Sequence, residues 1–451
     1  MILLESCTRV AVMDDAGTEL TDTSILIDRG TIKWIGTGEP PVAGGSGTPE
    51  VGGNTERIDG RGLVAIPGLI NTHHHLYQVL TRVRAQQQGL FGWLKELYPV
   101  WAHVDREWER SAALIGLAEL ALSGCTTSVD HHYVFPRGVD GLLEAEIDAA
   151  KTVGLRFHPC RGSMDLGESQ GGLPPDSIVQ DLDTVLRDTE AMIQRFHDPA
   201  TGSMLQIAVG PCSPFSVSDR LMRESVALAR KHHVRLHTHI AETLDEQAFC
   251  QEKFGRRPIQ LLEDLGFLGN DVWLAHCVHA DKGDTALLAK TGTGVAWCPT
   301  SNARLGSGIA PARRFLDARV PVGLSVDGSA SNDSNQMLAE VRQGMLLTRA
   351  IDGAESMTAR EALRVATRGG ATCLGRDDIG SLEVGKRADI ALFDIRGPGF
   401  AGAEHDPIAA LVFCAPATVR HLFVEGRHVV DDGRLATVDP SQLHSPVRVP
   451  A

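Results

Sequence analysis

The residues best suited to chemistry in this chain are the histidines of Asn71-Thr72-His73-His74-His75-Leu76. An apolar run broken by a Pro-Gly turn precedes them, which is typical of the approach to a buried strand. Because side chains alternate faces along a strand, His73 and His75 are expected to project together and His74 to the opposite side. Two imidazoles side by side on a strand make half of a metal site. The pair predicts a complete site only if distant segments bring further ligands to the same point.

Three later apolar runs end in residues that can complete such a site. They supply His239 with Glu242, then His276, and finally Asp327. Three neutral imidazoles and one carboxylate are a suitable ligand set for zinc or ferrous iron. Suitable residues at four strand ends, from distant segments, are hard to explain by packing alone. The set therefore predicts a single metal site.

Neighbouring residues leave alternatives open. His237 lies two residues before His239 and shares its face, so it is a rival ligand. Asp130-His131-His132 follows the second predicted strand and either lines the pocket or supports the ligands from behind. His276 has the alternative interpretation of a packed strand histidine.

The elements that must position these residues alternate between apolar runs and segments of helical periodicity. Strands are predicted at residues 64–72, 124–130, 155–160, 205–210, 234–240, 272–276, 294–298 and 320–327. Helices between them include residues 106–123, 140–153, 177–196 and 219–232. Eight strand–helix units over about 300 residues fit a (β/α)8 TIM-like barrel in the α/β class. In such barrels the active site lies at the C-terminal ends of the strands, where the candidate ligands stand.

Both chain ends have a different character from the middle. Short strands around a turn at Arg29-Gly30 are predicted before residue 65, and strand-like segments recur at 380–394 and 420–430. We expect residues 1–65 and 376–451 to form one composite β-sandwich domain, with the catalytic barrel of residues 66–375 inserted between them. Residues 38–56 are rich in Gly and Pro and predict a surface loop.

Composition excludes several classes of protein. The net charge of −14 argues against a nucleic-acid or anionic-membrane surface. The nine cysteines form no C-x-x-C pair, which argues against a disulfide framework or a zinc ribbon. No signal-peptide core and no run of about 20 apolar residues are present. We expect a cytoplasmic protein that binds neither nucleic acid nor membrane and that forms a homo-oligomer.

These motifs together resemble the amidohydrolase superfamily, and within it the aminohydrolases that deaminate purines, pyrimidines, pterins and triazines. The resemblance rests on segments along nearly the whole chain: residues 67–75, 239–242, 275–277, 299–302, 325–328 and 380–389. It implies that His73, His75, His239 and Asp327 hold one divalent metal ion, Zn²⁺ or Fe²⁺. Two-metal members use a carboxylated lysine on the fourth strand, and residues 204–213 contain no lysine, which favours a single ion.

The resemblance also implies three catalytic residues, Glu242, His276 and Asp327. A divalent ion lowers the pKa of a bound water molecule from about 15.7 towards 7. Asp327 is expected to accept the proton of that water, and Glu242 to shuttle a proton to a ring nitrogen of the substrate. His276 is expected to hold the attacking oxygen. The implied reaction is the hydrolytic deamination of an aminated heterocycle, a small-molecule substrate.

Substrate contacts are predicted in the loops after the early strands. Gln78 offers an amide to a heterocycle edge, Trp101 and Tyr98 in the loop 89–105 offer planar rings, and Arg161 follows the third strand. Alternatively, the aromatic residues fill the core of the loop and Arg161 makes a structural ion pair. Residues 72–78, 97–102, 161–164 and 171–176 resemble the bacterial 8-oxoguanine deaminases, which form urate and ammonia. Deaminases of isoxanthopterin, guanine or hydroxytriazines are the alternatives within the group.

Two interpretations from other classes remain. A hydrolase of cyclic amides can use the same scaffold, although the absent strand-four lysine argues against it. A non-catalytic metal-binding protein is the second, although Glu242 beside the ligands argues against it because structural metal sites need no free acid.

Overall fold

The fold alternates short buried strands with helices, as the apolar periodicity predicts. The computed structural model describes residues 1–40, 55–414, 417–444 and 447–450, so most of the predicted loop at 38–56 lies outside the described residues. The strands are β1 (Ile2–Ala11), β2 (Glu19–Asp28), β3 (Thr31–Gly36), β4 (Glu56–Asp59), β5 (Leu63–Pro67), β6 (Leu69–Asn71), β7 (Cys125–His132), β8 (Arg156–Ser163), β9 (Ala208–Pro211), β10 (Leu236–Ile240), β11 (Val272–His276), β12 (Gly294–Trp297), β13 (Val322–Leu324), β14 (Ile390–Asp394), β15 (Val419–Val424), β16 (Arg427–Asp431) and β17 (Arg434–Leu435).

The helices mostly follow the barrel strands. They are α1 (Leu90–Trp101), α2 (Arg106–Leu122), α3 (Leu142–Val153), α4 (Leu182–Phe196), α5 (Asp219–His232), α6 (Leu244–Phe254), α7 (Pro258–Asp264), α8 (Lys282–Thr291), α9 (Pro299–Arg304), α10 (Ala312–Asp317), α11 (Ser329–Asn332), α12 (Met337–Asp352), α13 (Ala359–Arg364), α14 (Gly370–Cys373) and α15 (Pro407–Phe413). A π-helical turn, Val365–Gly369, joins α13 to α14. No helix among the described residues has the length and apolarity needed to cross a membrane.

Eight parallel strands, β6 to β13 in sequence order, form the central sheet. Hydrogen bonds from the Thr72 N–H to the Leu324 carbonyl and from the Val326 N–H to Asn71 Oδ1, each 3.0 Å long, link the last strand to the first. Apolar side chains fill the interior: Ile70, Val129, Cys160, Ala208, Trp273 and Ala296. The prediction of a TIM-like barrel is confirmed.

Both chain ends contribute to a second, mainly antiparallel sheet of nine strands. Its order is β17-β16-β15-β14-β5-β1-β2-β3, with β4 added beside β1, and β14 pairs with β5 where the two chain ends meet. One face of this sheet encloses a core of its own that includes Leu4, Ile25 and Phe423. Alternate residues such as Val64 and Phe393 belong instead to the large core of the barrel. The composite β-domain therefore exists, while its boundaries at residues 65 and 376 stay a prediction.

Three predicted segments differ in the structure. The strand predicted at 64–72 is two strands in different sheets, because the Pro67-Gly68 turn moves the chain from one sheet to the other. At Gly68 a Cβ would lie 2.1 Å from the Thr126 side chain, so only glycine fits this crossing. The loop predicted at 89–105 contains α1, whose buried residues recur at helical spacing. Of the segment 380–394, only β14 is a strand.

Candidate active site

Four predicted ligands from three distant segments meet at the C-terminal mouth of the barrel. His73 and His75 follow β6, His239 lies in β10, and Asp327 follows β13. Nε2 of His75 lies 3.0 Å from Nε2 of His239, and Asp327 Oδ1 lies 3.3 Å from His73 Nε2 and 3.4 Å from His75 Nε2. We call these four residues the barrel-mouth cluster.

Hydrogen bonds at the rear nitrogens determine which nitrogen of each imidazole faces the shared point. Nδ1 of His75 lies 2.8 Å from the carbonyl oxygen of His131, and Nδ1 of His239 lies 2.8 Å from that of Cys212. A carbonyl only accepts, so both Nδ1 atoms carry the proton. The Nε2 lone pairs are therefore free to bind a metal, and the carbonyl oxygens behind the rings hold the imidazoles in this tautomer.

His73 is oriented in a similar way, except that the side chain of His237 lies between it and a backbone carbonyl. Nδ1 of His237 lies 2.8 Å from the Trp273 carbonyl and carries the proton, so its Nε2 accepts a hydrogen bond from His73 Nδ1 at 2.7 Å. Nε2 of His73 is buried, and no hydrogen-bond partner for it exists among the described residues. His237, the rival ligand in the sequence, thus lies behind His73 and orients it.

The charge state of the cluster suits a divalent cation. Burial lowers the pKa of His73 well below its ordinary value and that of His75 to about 3, so both imidazoles are neutral at pH 7. Asp327 Oδ2 accepts hydrogen bonds from the hydroxyls of Ser301 at 2.5 Å and Ser331 at 3.2 Å, which leaves Oδ1 directed at the imidazoles. Three neutral nitrogens and one carboxylate are the donor set that zinc or ferrous iron prefers.

Backbone strain occurs at several points where the chain leaves the barrel strands. The φ angles of Ala241, His276, Cys277 and Asp327 are +52°, +74°, +50° and +63°, in the left-handed region that non-glycine residues rarely adopt. Such conformations persist only where the surrounding structure imposes them, and they are typical of functional sites. Here they lie at or just after the residues predicted to do the chemistry.

Glu242 faces the cluster from the turn after β10. Its Oε2 lies 3.5 Å from His276 Nε2, and its Oε1 accepts a hydrogen bond from the Ser307 hydroxyl at 3.3 Å. Burial first, and then the charges of Asp327 and Glu246, raise its pKa well above the ordinary value. Glu242 is therefore biased towards the protonated form, as a proton donor requires.

Glu246, which was not predicted from the sequence, holds the turn that carries Glu242. Its carboxylate accepts the backbone N–H groups of Ala241 at 2.9 Å and Glu242 at 2.8 Å. The signal was present as Thr243-x-x-Glu246, the capping-box pattern at the start of a helix. Glu246 turns its side chain to the preceding residues rather than to the N-cap, so it fixes the backbone of the catalytic turn.

His276 is the last residue of β11 and also faces the site. Its Nδ1 lies 2.9 Å from Nδ2 of Asn302, which donates to it and leaves the proton on Nε2, the nitrogen nearest Glu242. Burial lowers the pKa of His276 to about 4. A neutral imidazole with an N–H in this position can donate a hydrogen bond to an oxygen at the site.

A cavity opens beside the cluster. Aromatic side chains form much of its wall, namely Trp93, Tyr98, Tyr133 and Phe215. Polar groups reach it from Gln78, Glu242, His276, Asp327 and Ser331. The described residues that line it include no lysine or arginine, so the cavity suits a flat, uncharged ligand rather than a phosphorylated one.

Gln78, predicted from the sequence to contact the substrate, lies at the cavity. Its amide lies at the cavity wall, and its Oε1 is buried without a hydrogen-bond partner in the described part of the chain. A Cβ at Gly328 would lie 1.9 Å from this oxygen, so the glycine after Asp327 makes room for the amide. A buried, unpaired carbonyl is costly unless a ligand supplies a donor.

Trp101 and Arg161 lie away from the cavity, and this corrects the prediction that they contact the substrate. Trp101 is fully buried behind the cavity wall, where its indole N–H donates to Thr81 Oγ1 at 3.1 Å. Arg161 points outward from β8, because the adjacent Cys160 takes the interior face. Its guanidinium lies 3.8 Å from the centroid of the Phe135 ring and donates to Gln180 Oε1 at 2.7 Å.

Comparisons with known proteins agree with this geometry. The profile of the amidohydrolase family matches residues 64–429. The chain is 44% identical to 8-oxoguanine deaminase from Pseudomonas aeruginosa, over 96% of this chain and 95% of that protein. It is 38% identical to hydroxydechloroatrazine ethylaminohydrolase from Pseudomonas sp. strain ADP, over 95% and 91%.

A solved structure extends the similarity to three dimensions. A mutant of atrazine chlorohydrolase TrzN from Arthrobacter aurescens TC1, complexed with zinc and atraton, matches with a TM-score of 0.92 and 35% identity, and 98% of each chain is covered. The family match, the relatives and the barrel-mouth geometry lead to one conclusion. The chain belongs to the amidohydrolase family, whose members are hydrolases, and it acts on C–N bonds.

Proposed function

We propose that this protein deaminates 8-oxoguanine by hydrolysis and releases urate and ammonia. The observation that carries the proposal is the meeting of the barrel-mouth cluster and Glu242 at one cavity. The 44% identity to an 8-oxoguanine deaminase supports this choice of heterocycle.

We further propose zinc as the metal, with His73, His75, His239 and Asp327 as its ligands and ferrous iron as the alternative. The orphaned Nε2 of His73 and the fixed tautomers of His75 and His239 support this assignment. When bound, such an ion lowers the pKa of a water molecule to near 7 and so supplies the nucleophile.

The residues of the chain then move the protons. Asp327 accepts one proton from the attacking water, while Glu242 gives its own proton to the ring nitrogen beside the amino-bearing carbon. The water oxygen bonds to that carbon, and His276 donates a hydrogen bond to it. Glu242 recovers a proton from the added hydroxyl group, and the proton on Asp327 passes to the amino group. The C–N bond breaks and ammonia leaves.

Substrate selection follows from the cavity wall. Trp93, Tyr98 and Tyr133 offer faces and edges to a planar ring, and the unpaired Oε1 of Gln78 offers an acceptor to a ring N–H. The absence of cationic side chains among the described lining residues favours the free base over its nucleotides.

A substrate panel tests the proposal. Purified protein loaded with zinc would be given 8-oxoguanine, guanine, isoxanthopterin, a hydroxytriazine and, as cyclic amides, a hydantoin and a dihydropyrimidine. Ultraviolet absorbance and ammonia release would be followed in parallel. The highest kcat/KM is expected for 8-oxoguanine, with urate as product. A higher value for another member would transfer the proposal to that heterocycle, and turnover only of a hydantoin or dihydropyrimidine would replace deamination by cyclic-amide hydrolysis. The cytoplasmic location and the homo-oligomer stay predictions.

A further inference from the structure

A second group of metal-binding side chains lies on the hairpin of β15 and β16, in the composite sheet rather than in the barrel. Nδ1 of His421 lies 3.2 Å from Nε2 of His428 and 3.2 Å from Oδ1 of Asp431. Nε2 of His428 lies 3.6 Å from the same carboxylate oxygen. We call these three residues the sheet cluster. Two ring nitrogens and a carboxylate oxygen thus form a nearly equilateral triangle.

The backbone brings these side chains together through a β-bulge. Leu422 faces Val430 across the antiparallel pair, whereas Phe423 faces His428, so Val429 is an extra residue in β16. An inserted residue changes the parity of a strand. His428 and Asp431, three positions apart, therefore share a face, and that face also carries His421 of the neighbouring strand. Without the bulge, His428 and Asp431 would point to opposite sides.

The triangle has the dimensions of a zinc site. Zinc binds histidine nitrogen and carboxylate oxygen at about 2.0–2.2 Å in tetrahedral geometry, which places neighbouring ligand atoms about 3.4 Å apart. The three observed separations lie close to this value. Imidazole ligands favour zinc over calcium or magnesium, which prefer oxygen. The chemical class that fits is a borderline divalent transition-metal ion.

Neighbouring residues support the His428 imidazole from behind and leave one side of the cluster open. The rear nitrogen of His428, Nδ1, lies 3.8 Å from Oε1 of Glu56 on β4, which is the arrangement of a carboxylate behind a metal-binding histidine. The His428 ring stacks on Phe423, with centroids 4.4 Å apart. The side chain of Asp431 is 58% exposed, so water can complete the coordination from solvent.

We propose that the sheet cluster binds one zinc ion that is separate from the metal of the barrel mouth. The rival explanation is a proton of His421 Nδ1 shared between His428 and Asp431, which would need no metal. The bound ion would connect β15 to β16 and, through Glu56, hold the C-terminal hairpin against β4 of the N-terminal segment. The proposal does not depend on the substrate of the barrel.

Zinc content after gel filtration in buffered zinc tests the proposal. The wild-type protein is expected to retain one more zinc ion per chain than Asp431→Asn or His428→Gln, with deaminase turnover unchanged in both variants. His405→Gln, which changes an exposed histidine outside the cluster, is the matched control and should retain the wild-type amount. Asp327→Asn is expected to lose the barrel-mouth ion and keep the sheet ion, which separates this test from that of the proposed function.

Thermal unfolding supplies a second readout. Added zinc is expected to raise the Tm of Asp327→Asn, because a ligand that binds only the folded state stabilises it. The rise should disappear when Asp431→Asn is added to that variant. Equal zinc content in wild type and Asp431→Asn, or a Tm rise that survives the double substitution, would overturn the proposal in favour of a shared proton. Circular dichroism checks that each variant is folded; Asp431→Asn, at an exposed position, is the variant least able to disturb the fold.

Discussion

Two buried groups of histidines and carboxylates lie on opposite sides of β7, and they differ in what their side chains can hold. The barrel-mouth cluster lies inside the barrel. Outside it, between β7 and the helices α2 and α3, lies a second group that we call the acid cluster: Glu109, Asp130, His132 and Glu146, all fully buried. Strand alternation produces the separation, since His131 faces the interior while Asp130 and His132 on either side of it face the helices.

The difference lies in the ratio of carboxylates to imidazoles and in what holds each group. In the barrel mouth, one carboxylate is held by hydroxyls and three imidazoles direct lone pairs at one point. In the acid cluster, three carboxyl groups surround one imidazole, with His132 Nδ1 at 2.8 Å from Glu146 Oε1 and 3.5 Å from Glu109 Oε2. Burial raises the pKa of Glu109 and Glu146 well above the ordinary value, and that of Asp130 to about 7. The raised pKa values favour the protonated carboxyl groups, so similar residue types differ in charge between the two clusters.

The largest expected effect is the loss of the metal ion that we propose for the barrel-mouth cluster. Asp327→Asn should lose most of the barrel-mouth zinc and nearly all ammonia release, because the amide removes the only negative ligand. Glu109→Gln, a matched change in the acid cluster, should keep both the metal and the activity. Metal analysis with an ammonia assay measures this. Loss of metal from Glu109→Gln would show that the acid cluster binds an ion as well.

The next effect concerns proton transfer. Glu242→Gln should retain the metal but lower kcat by about 10²–10⁴-fold, the usual contribution of a general acid–base group. Glu146→Gln, equally buried but on the other side of β7, should leave kcat within a few-fold of wild type. Steady-state kinetics with 8-oxoguanine provides the measurement. Undiminished turnover in Glu242→Gln would remove this residue from the mechanism.

A smaller effect separates the cavity wall from the residues behind it. Gln78→Ala should raise KM by about tenfold, which corresponds to one hydrogen bond of about 1.4 kcal/mol, with a smaller change in kcat. Arg161→Ala should leave KM near the wild-type value and lower the Tm, because its guanidinium packs on Phe135. A raised KM in Arg161→Ala with an unchanged Tm would restore this residue to the substrate site.

The sequence predicted most of what apolar spacing and strand-end position determine. The barrel strands were predicted from eight short apolar runs. His73, His239 and Asp327 were predicted as ligands because they lie at the ends of such runs. The direction in which a side chain points was harder to predict, because it alternates from one strand residue to the next. Arg161 and Cys160 are adjacent, yet only Cys160 faces the interior. The rear hydrogen bonds from His237 and Glu246 were not predicted, since they depend on distances that only the folded chain sets.

The acid cluster allows a last, smaller prediction about pH. The folded protein keeps protons on Glu109 and Glu146 at pH values where the unfolded chain has released them, since free glutamate has a pKa of about 4.3. Stability should therefore fall as the pH rises from about 5 to 8, because the folded state binds more protons. Glu146→Gln removes one of these groups but keeps its shape, so its apparent Tm should fall less over the same range. Glu144→Gln, on the same helix and largely outside this core, is the control and should follow wild type. A fall in Glu146→Gln as steep as in wild type would show that Glu146 holds no extra proton in the folded protein.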